Sequence, residues 1–119
     1  MPGFNPLPAG SITWTQNVLG AEVARLRTNG AVLSIVRGKA GDLVPSHGYT
    51  HGSVTYVVSG RLDVDGQVLG AGDGGSYRPG SGYYAVRFLE DSVYVVARTA
   101  EDELTVPDIG ERAAAHLDA

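Results

Sequence analysis

Signals for tight turns recur about every 8–12 residues along this chain, and they restrict its fold more than any other feature. Glycine accounts for 17 of the 119 residues, and short segments rich in alternating apolar or β-branched residues lie between the turns. The dipeptides Asn29-Gly30 and Asp65-Gly66 each join two such segments, since Asn-Gly and Asp-Gly readily adopt positive φ. About nine or ten short strands and at most one short helix predict an all-β sandwich or small barrel.

The pattern also predicts the domain organisation. Residues 1–11 are proline-rich and indicate an extended arm, and residues 12–106 form the barrel. Residues 107–119 form a tail or a short helix over residues 109–117, with Asp108 as its N-cap. The nearly continuous apolar run in residues 31–37 predicts a strand buried on both faces. Residues 83–89 and 92–98 are interpreted as a hairpin around Glu90 and Asp91. The predicted strands cover residues 12–18, 22–27, 31–37, 43–49, 54–58, 61–64, 67–69, 83–89 and 92–98.

Composition excludes several classes of function. The 13 acidic residues outnumber the 9 lysines and arginines, for a net charge of −4, which argues against a nucleic-acid partner. Cysteine is absent, so disulfides and thiolate chemistry are excluded. No apolar run approaches the roughly 20 residues that a membrane span requires, and residues 1–11 lack the features of a secretory signal. We therefore expect a soluble, cytoplasmic protein whose partner is a small molecule.

The densest chemistry lies in residues 41–60, GDLVPSHGYTHGSVTYVVSG, which hold two of the three histidines. In an extended strand the side chains at positions 43, 45, 47 and 49 share one face, because a strand repeats every second residue. His47 and Tyr49 would then lie together, with His51 in the loop that follows. Imidazole, phenol and hydroxyl groups are thus brought close in one segment.

This segment resembles the first sequence motif of the cupin family, G-x5-H-x-H-x3-or-4-E-x6-G. Gly41, His47 and Gly60 stand at matching positions. Tyr49 stands where the motif has its second histidine, and Ser53 where it has glutamate.

A counterpart of the second cupin motif surrounds Pro79 and Gly80. Its histidine is replaced by Tyr83 if Gly80 sets the register, and by Tyr84 if Pro79 sets it. With Tyr83 in that position, Arg87 stands where the motif has asparagine.

Residues 20–47 are similar to small cupins of the anti-sigma zinc-binding and dihydroxyacetophenone-dioxygenase types. The resemblance covers about residues 20–98 and implies a single-domain double-stranded β-helix, or jelly-roll barrel. It also implies a homodimer, because small cupins commonly exchange edge strands.

The resemblance implies a degenerate metal site. Of the four cupin ligand positions only His47 keeps its residue, and His51 is the other candidate metal ligand. Two imidazoles without a carboxylate form an incomplete site. No cofactor is therefore assigned, and the alternative left open is a weakly held divalent ion of iron, manganese or zinc.

The polar replacements favour a pocket that still holds a small molecule, because buried polar groups are costly without partners. His47 is the expected general base, since an ordinary histidine pKa is about 6.5. The other expected catalytic groups are His51, Tyr49 and Tyr83. The candidates for substrate binding are Ser53, Thr55, Arg78, Tyr84, Arg87 and Trp14.

Three functions fit these residues. The first is a metal-independent lyase, isomerase or cyclase that uses acid–base chemistry. The second is a metal-dependent dioxygenase-like cupin, and the third is a cupin that binds or senses a small molecule without converting it. The first is the interpretation that the polar residues favour.

Overall fold

The computed structural model describes residues 3–17, 19–49, 52–78, 84–99 and 104–105. Within them, a 3-10 turn at Ala9–Ser11 precedes eleven strands: β1 (Thr15–Gln16), β2 (Glu22–Thr28), β3 (Ala31–Gly38), β4 (Leu43–Tyr49), β5 (Ser53–Ser59), β6 (Arg61–Val64), β7 (Gln67–Gly70), β8 (Gly74–Tyr77), β9 (Tyr84–Phe88), β10 (Ser92–Arg98) and β11 (Leu104–Thr105). Among the residues that the structure describes, no helix is long and apolar enough to cross a membrane. The predicted C-terminal helix lies outside the described residues.

The strands form two antiparallel sheets. The first sheet has the order β1-β2-β3-β10-β5-β8, and the second has the order β11-β4-β9-β6-β7. The all-β prediction is therefore confirmed.

The turn at residues 65–66 is confirmed as a two-residue hairpin. Asp65 has φ 51° and Gly66 has φ 87°, as a type I′ turn requires. The Gly66 amide donates a hydrogen bond to Asp63 Oδ1 at 2.7 Å. β6 and β7 pair along their whole length from this turn.

The hairpin predicted for residues 83–98 is wrong. β9 pairs with β4 and β6 in the second sheet, whereas β10 pairs with β3 and β5 in the first. Neither Glu90 nor Asp91 has the positive φ of a two-residue hairpin turn, so the chain crosses between the sheets here. The Ser92 hydroxyl donates a hydrogen bond to the Glu90 carbonyl at 2.7 Å and accepts one from the Arg61 amide at 3.0 Å, which fixes this crossing.

The core lies between the inner faces of the two sheets. On β3, Val32, Ser34 and Val36 are buried, whereas Leu33 and Ile35 are only half-buried. The prediction that this strand is buried on both faces is therefore wrong, because the first sheet packs on the second through one face only. The core cluster consists of Ala21, Val23, Val36, Val44, Val57, Leu62, Val86, Phe88, Tyr94 and Val96.

The N-terminal arm is interrupted by the 3-10 turn at Ala9–Ser11 before it reaches β1. The strand predicted for residues 12–18 is reduced to Thr15–Gln16, which pairs with β2. Trp14 stacks on the Arg37 guanidinium, whose carbon lies 3.6 Å from the ring centroid. Arg37 also forms an ion pair with Glu22 at 3.0 Å, so this part of the arm is attached to the edge of the first sheet.

Candidate functional site

The inner face of the first sheet is apolar at one end and polar at the other. The apolar end is a row of four paired residues across β2, β3, β10 and β5: Val23, Val36, Tyr94 and Val57. Two residues further along, the row consists of Arg25, Ser34, Val96 and Thr55. Residues directly opposite in an antiparallel pair share a face, so Arg25 belongs to the same face as the buried Ser34.

The next row outward is also polar. Arg98 pairs with the buried Val32, and Ser53 pairs with Tyr77 on β8. Because Ala97 pairs with Val54, Ser53 is the inner-face neighbour of Arg98. We call the resulting set the polar layer: Arg25, Ser34, Ser53, Thr55, Tyr77 and Arg98.

A cavity of about 400 Å³ lies between the two sheets beside this layer. This is within the range of small-molecule sites, roughly 300–1,000 Å³. Thr55 and Tyr77 contribute polar groups from the first sheet, and Asp65 and Gln67 contribute them from the second. Its apolar wall consists of Leu62, Val64, Leu69, Val86 and Tyr94.

A hydrogen bond joins the two sheets at this cavity. The Tyr77 hydroxyl donates to Asp65 Oδ2 at 2.8 Å, and the Ala85 amide donates to Asp65 Oδ1 at 3.1 Å. Burial raises the pKa of the Tyr77 phenol well above its ordinary value, and the hydrogen bond to Asp65 and the charge of Asp65 raise it further. Tyr77 therefore stays protonated and remains a hydrogen-bond donor at neutral pH.

Ser53 is the member of the polar layer with the least satisfied side chain. The residue is only 7% exposed, and its Oγ is buried with no hydrogen-bond partner in the part of the chain that the structure describes. Such groups are uncommon in folded proteins. An orphaned hydroxyl in a polar layer beside a cavity is a candidate contact for a bound molecule.

The pairing of β4 with β9 gives the register of the histidine segment. Val44 pairs with Val86, and His47 pairs with Tyr84, so β4 advances three residues while β9 advances two. This bulge breaks the uninterrupted alternation predicted for residues 43–49. It also places Tyr84, rather than Tyr83, opposite His47 in the backbone ladder.

The other predicted site residues have different locations. Thr55 lines the cavity. Ser53 and the exposed Arg78 do not line it; together with Tyr77 they line a separate, open depression on the surface. The backbone of Tyr49 pairs with that of Leu104. His51 and Tyr83 lie outside the described residues.

Two predicted substrate-binding residues lie away from the cavity. Arg87 is exposed and alternates with the buried Val86 and Phe88, so it is on the outer face of the second sheet. Trp14 contacts Arg37, at the opposite end of β3 from the polar layer.

Sequence reasoning missed four residues of this region: Arg25, Asp65, Tyr77 and Arg98. The sequence indicates only a turn at Asp65. Val23, Arg25 and Arg27 share one face of β2, and Ala24 and Leu26 share the other. The sequence alone does not indicate which of these two faces is buried, so it does not place Arg25 on the inner face.

Solved structures with the same architecture are numerous. A RmlC-like cupin from Shewanella frigidimarina NCIMB 400 is similar over 83% of this chain and 91% of its own, with a TM-score of 0.69 and 19% identity. This chain has the cupin fold. The cupin barrel here is also similar to KdgF from Halomonas sp., over 81% of this chain and 93% of that one, with a TM-score of 0.70 and 20% identity.

A third similar structure is the polyketide cyclase RemF from Streptomyces resistomycificus. It matches 98% of this chain and 94% of its own, with a TM-score of 0.74 and 11% identity. No protein-family model matches the chain, and no curated protein matches its sequence. The structural similarity supports the cupin fold. The sequence identities are too low to assign an activity, which therefore has to be argued from the site.

The cupin positions that ordinarily hold a metal carry a poor donor set in this chain. By the sequence motifs they are occupied by His47, Tyr49, Ser53 and either Tyr83 or Tyr84, which supply one imidazole, two phenols and one alcohol. Iron, manganese and zinc centres use several imidazoles and carboxylates, and a phenol with an ordinary pKa near 10 is neutral at pH 7. Among the described residues no three histidine, cysteine, aspartate or glutamate side chains cluster. The residues therefore do not fit a mononuclear metal centre of the usual cupin type.

Proposed function

We propose that this cupin-fold protein is a metal-independent enzyme of the lyase, isomerase or cyclase type that transfers protons on a small molecule in the cavity between its sheets. The observation that carries the proposal is the polar layer over an apolar core. Hydroxyl and guanidinium groups are costly to withdraw from water, and apolar side chains would fill the same space at lower cost. A layer of them beside a cavity is therefore better explained by a bound polar molecule than by packing.

The proposed roles follow from the chemistry of the side chains. His47 is the general base, because an imidazole accepts a proton near neutral pH. The Tyr77 hydroxyl donates its single proton to Asp65 at 2.8 Å, so its oxygen is oriented to accept a hydrogen bond from a hydroxyl or enol group of the substrate. Tyr84 is the candidate partner of His47, since the two are paired in the ladder. His51, Tyr49 and Tyr83 remain catalytic candidates from the sequence.

The similar structures are compatible with this chemistry. RemF is described as a polyketide cyclase, and cyclisation requires proton transfers of the kind proposed. Because one fold hosts many unrelated reactions, this similarity supports the class of reaction and leaves the substrate open.

Hydrogen–deuterium exchange tests the proposal with a panel of compounds instead of a single substrate. We would incubate chelator-treated protein in D₂O with 2-oxo acids, β-diketones and enolisable ketones and follow the loss of the acidic C–H signal by NMR. The expected result is catalysed exchange of at least one panel member, with a rate that rises with pD near the ordinary histidine pKa. His47→Gln should lower the rate at least about 100-fold.

The other outcomes identify the competing functions. Exchange or oxygen consumption that appears only after iron, manganese or zinc is added would favour the metal-dependent oxygenase. Saturable binding of panel members without exchange would favour the non-catalytic binding protein. Either result would contradict the proposal.

The proposal includes a homodimer that forms through the outer face of the first sheet. Val54, Tyr56 and Val58 are at least half exposed there, and the N-terminal arm exposes Phe4 and Leu7. A second copy supplies both an apolar face and an apolar arm to cover them, because burial of exposed apolar surface favours association.

Sedimentation at micromolar concentration tests the dimer. We expect twice the mass of the chain for the wild type and a single-chain mass for Tyr56→Arg. Val68→Arg is the matched control, because Val68 on the second sheet is 57% exposed and Tyr56 is 50% exposed. A wild-type protein that sediments as a monomer would refute the dimer.

A further inference from the structure

We infer that the cavity between the sheets takes an uncharged compound with an apolar body and a hydroxyl group, a phenol or an enol, and that Asp65 accepts the hydrogen bond from that hydroxyl. The inference rests on the proposed function in one respect, namely that this cavity is the substrate site. It adds the chemical class of the substrate and assigns a binding role to Asp65, which the sequence indicates only as a turn residue.

The charge of the cavity wall argues against an anionic ligand. Among the described residues that line the cavity, none is an arginine, lysine or histidine, and Asp65 supplies a carboxylate. The other polar groups of this lining include Thr55, Gln67 and Tyr77, which are neutral side chains. Burial and the neighbouring Asp65 raise the pKa of the Tyr77 phenol, so it adds no charge at neutral pH. A carboxylate or phosphate on the ligand would therefore meet like charge without a compensating cation on the described wall.

Asp65 is held in position and keeps the capacity to accept further hydrogen bonds. The Ala85 amide donates to its Oδ1 atom at 3.1 Å, and the Asp65 amide donates to the Ala85 carbonyl at 3.4 Å. The Tyr77 hydroxyl donates to its Oδ2 atom at 2.8 Å. An ionised carboxylate has about four lone-pair sites and no proton to donate. After two bonds to its oxygens, Asp65 can therefore accept about two more, and a ligand hydroxyl is the donor that matches it.

The apolar part of the cavity wall favours an apolar body on the same ligand. Leu62, Val86 and Tyr94 line the cavity and are buried members of the core cluster. Val64 and Leu69 also line it and pack against that cluster. Burial of apolar ligand surface against these side chains favours binding, and the bond to the carboxylate orients the ligand. A compound that is apolar at one end and carries a hydroxyl at the other fits both parts of the wall.

The colour of 4-nitrophenol tests the inference in the wild-type protein. This phenol ionises near neutral pH and only its ionised form is yellow, so absorbance reports which form the protein binds. A site that prefers the neutral form raises the apparent pKa of the phenol, because binding withdraws that form from the equilibrium. At a fixed pH near the pKa of the phenol, we expect a saturable loss of yellow colour as chelator-treated protein is added. A saturable gain of colour, or no saturable change, would overturn the inference.

Competition separates recognition of the hydroxyl from burial of the apolar body. Phenol should displace bound 4-nitrophenol at a concentration roughly 10-fold lower than anisole, in which a methyl group replaces the hydroxyl proton. Benzoate is an anion of similar size and should displace it less well than phenol does, because its charge meets that of the wall. Equal displacement by phenol and anisole would mean that the hydroxyl is not recognised, which would overturn the inference.

Matched variants assign the hydrogen bond to Asp65. Asp65→Asn removes the charge and one acceptor oxygen, whereas Asn-Gly suits the same type I′ turn. Asp63→Asn makes the same chemical change in the same hairpin, but Asp63 pairs with the exposed Val68 and is absent from the described lining of the cavity. We expect Asp65→Asn to weaken the binding of neutral 4-nitrophenol roughly 10-fold and Asp63→Asn to leave it unchanged. Equal effects would overturn the assignment, and the wild-type titrations decide the ligand class even if a variant does not fold.

The two proposals fail in different ways. If neutral 4-nitrophenol binds through Asp65 but no compound exchanges deuterium, the ligand class stands and the enzymatic proposal falls. If His47-dependent exchange occurs with the anionic 2-oxo acids while neutral 4-nitrophenol does not bind, the enzyme stands and the ligand class falls.

Discussion

Replacing Ser53 with alanine should make the protein more stable, which is the opposite of the usual effect of a buried substitution. The Ser53 hydroxyl is buried without a hydrogen-bond partner in the described residues, so it is desolvated with no compensating bond. Mutational data put the cost of such a group at about 1–3 kcal/mol. Part of that cost returns when the oxygen is removed, and we expect Ser53→Ala to raise the free energy of unfolding by about 1 kcal/mol.

Ser92→Ala is the matched control, because the chemical change is the same and Ser92 is also buried, at 3% exposure against 7% for Ser53. Its hydroxyl donates to the Glu90 carbonyl at 2.7 Å and accepts from the Arg61 amide at 3.0 Å. At about 1 kcal/mol for each bond, its loss should lower the free energy of unfolding by about 2 kcal/mol. The two variants should therefore differ by about 3 kcal/mol, with opposite signs relative to the wild type.

Urea unfolding of dialysed, ligand-free protein measures both values, provided that the slopes of the transitions agree. If Ser53→Ala lowers stability as much as Ser92→Ala does, the Ser53 hydroxyl is bonded within the protein. The argument that the polar layer is directed towards a ligand would then lose its most direct support. If Ser53→Ala raises stability and also weakens the binding of a compound from the exchange panel, both halves of the argument hold.

Two further predictions follow from the structure. Because the pKa of Tyr77 is raised in the folded state, its stabilising contribution is complete below the ordinary tyrosine pKa of about 10 and is lost as the pH rises above it. Urea unfolding between about pH 9 and 11 should therefore show a shallower loss of stability in Tyr77→Phe than in the wild type, and equal slopes would contradict the assignment. Gly60 and Gly66 have nearly the same positive φ, 85° and 87°. A Cβ atom added to Gly60 would overlap Ser92 Oγ and the Asp91 carbonyl, whereas a Cβ atom added to Gly66 would meet no atom within 4 Å. Gly66→Ala should lower the free energy of unfolding by about 1 kcal/mol and Gly60→Ala by about 3–4 kcal/mol; equal losses would mean that backbone strain alone sets the requirement for glycine.

The sequence predicted most strands but did not determine which strands pair. Alternation and turn residues are local properties, so they located β2, β3 and β5–β7 within a few residues. The partner of a strand depends on contacts far along the chain. The segment at Glu90 and Asp91 shows the difference: it looks like a hairpin turn, yet it joins strands of different sheets.

The site was harder to predict than the strands, for two physical reasons. A bulge in β4 changes which residue stands opposite His47, and a single inserted residue leaves no clear mark in the sequence. The face of β2 that is buried was ambiguous, because Arg25 alternates with Ala24 and Leu26, which look equally suited to a core. The motif resemblance therefore drew attention to His47 and Ser53 but gave no indication of Asp65 and Tyr77, which form the hydrogen bond across the cavity.

The gradient along the inner face of the first sheet links stability to function. At one end, Val57 and Tyr94 pack with Leu62 and Phe88 into a fully buried core, and this apolar burial supplies most of the driving force for folding. At the other end the same strands carry hydroxyl and guanidinium groups that a purely structural barrel would replace with valine or leucine. Natural proteins depart from optimal stability mainly where a site requires it. Ser53 should therefore be a position at which a variant gains stability and loses affinity for the small molecule, whereas substitutions among the core residues should lower stability without a specific effect on ligand binding.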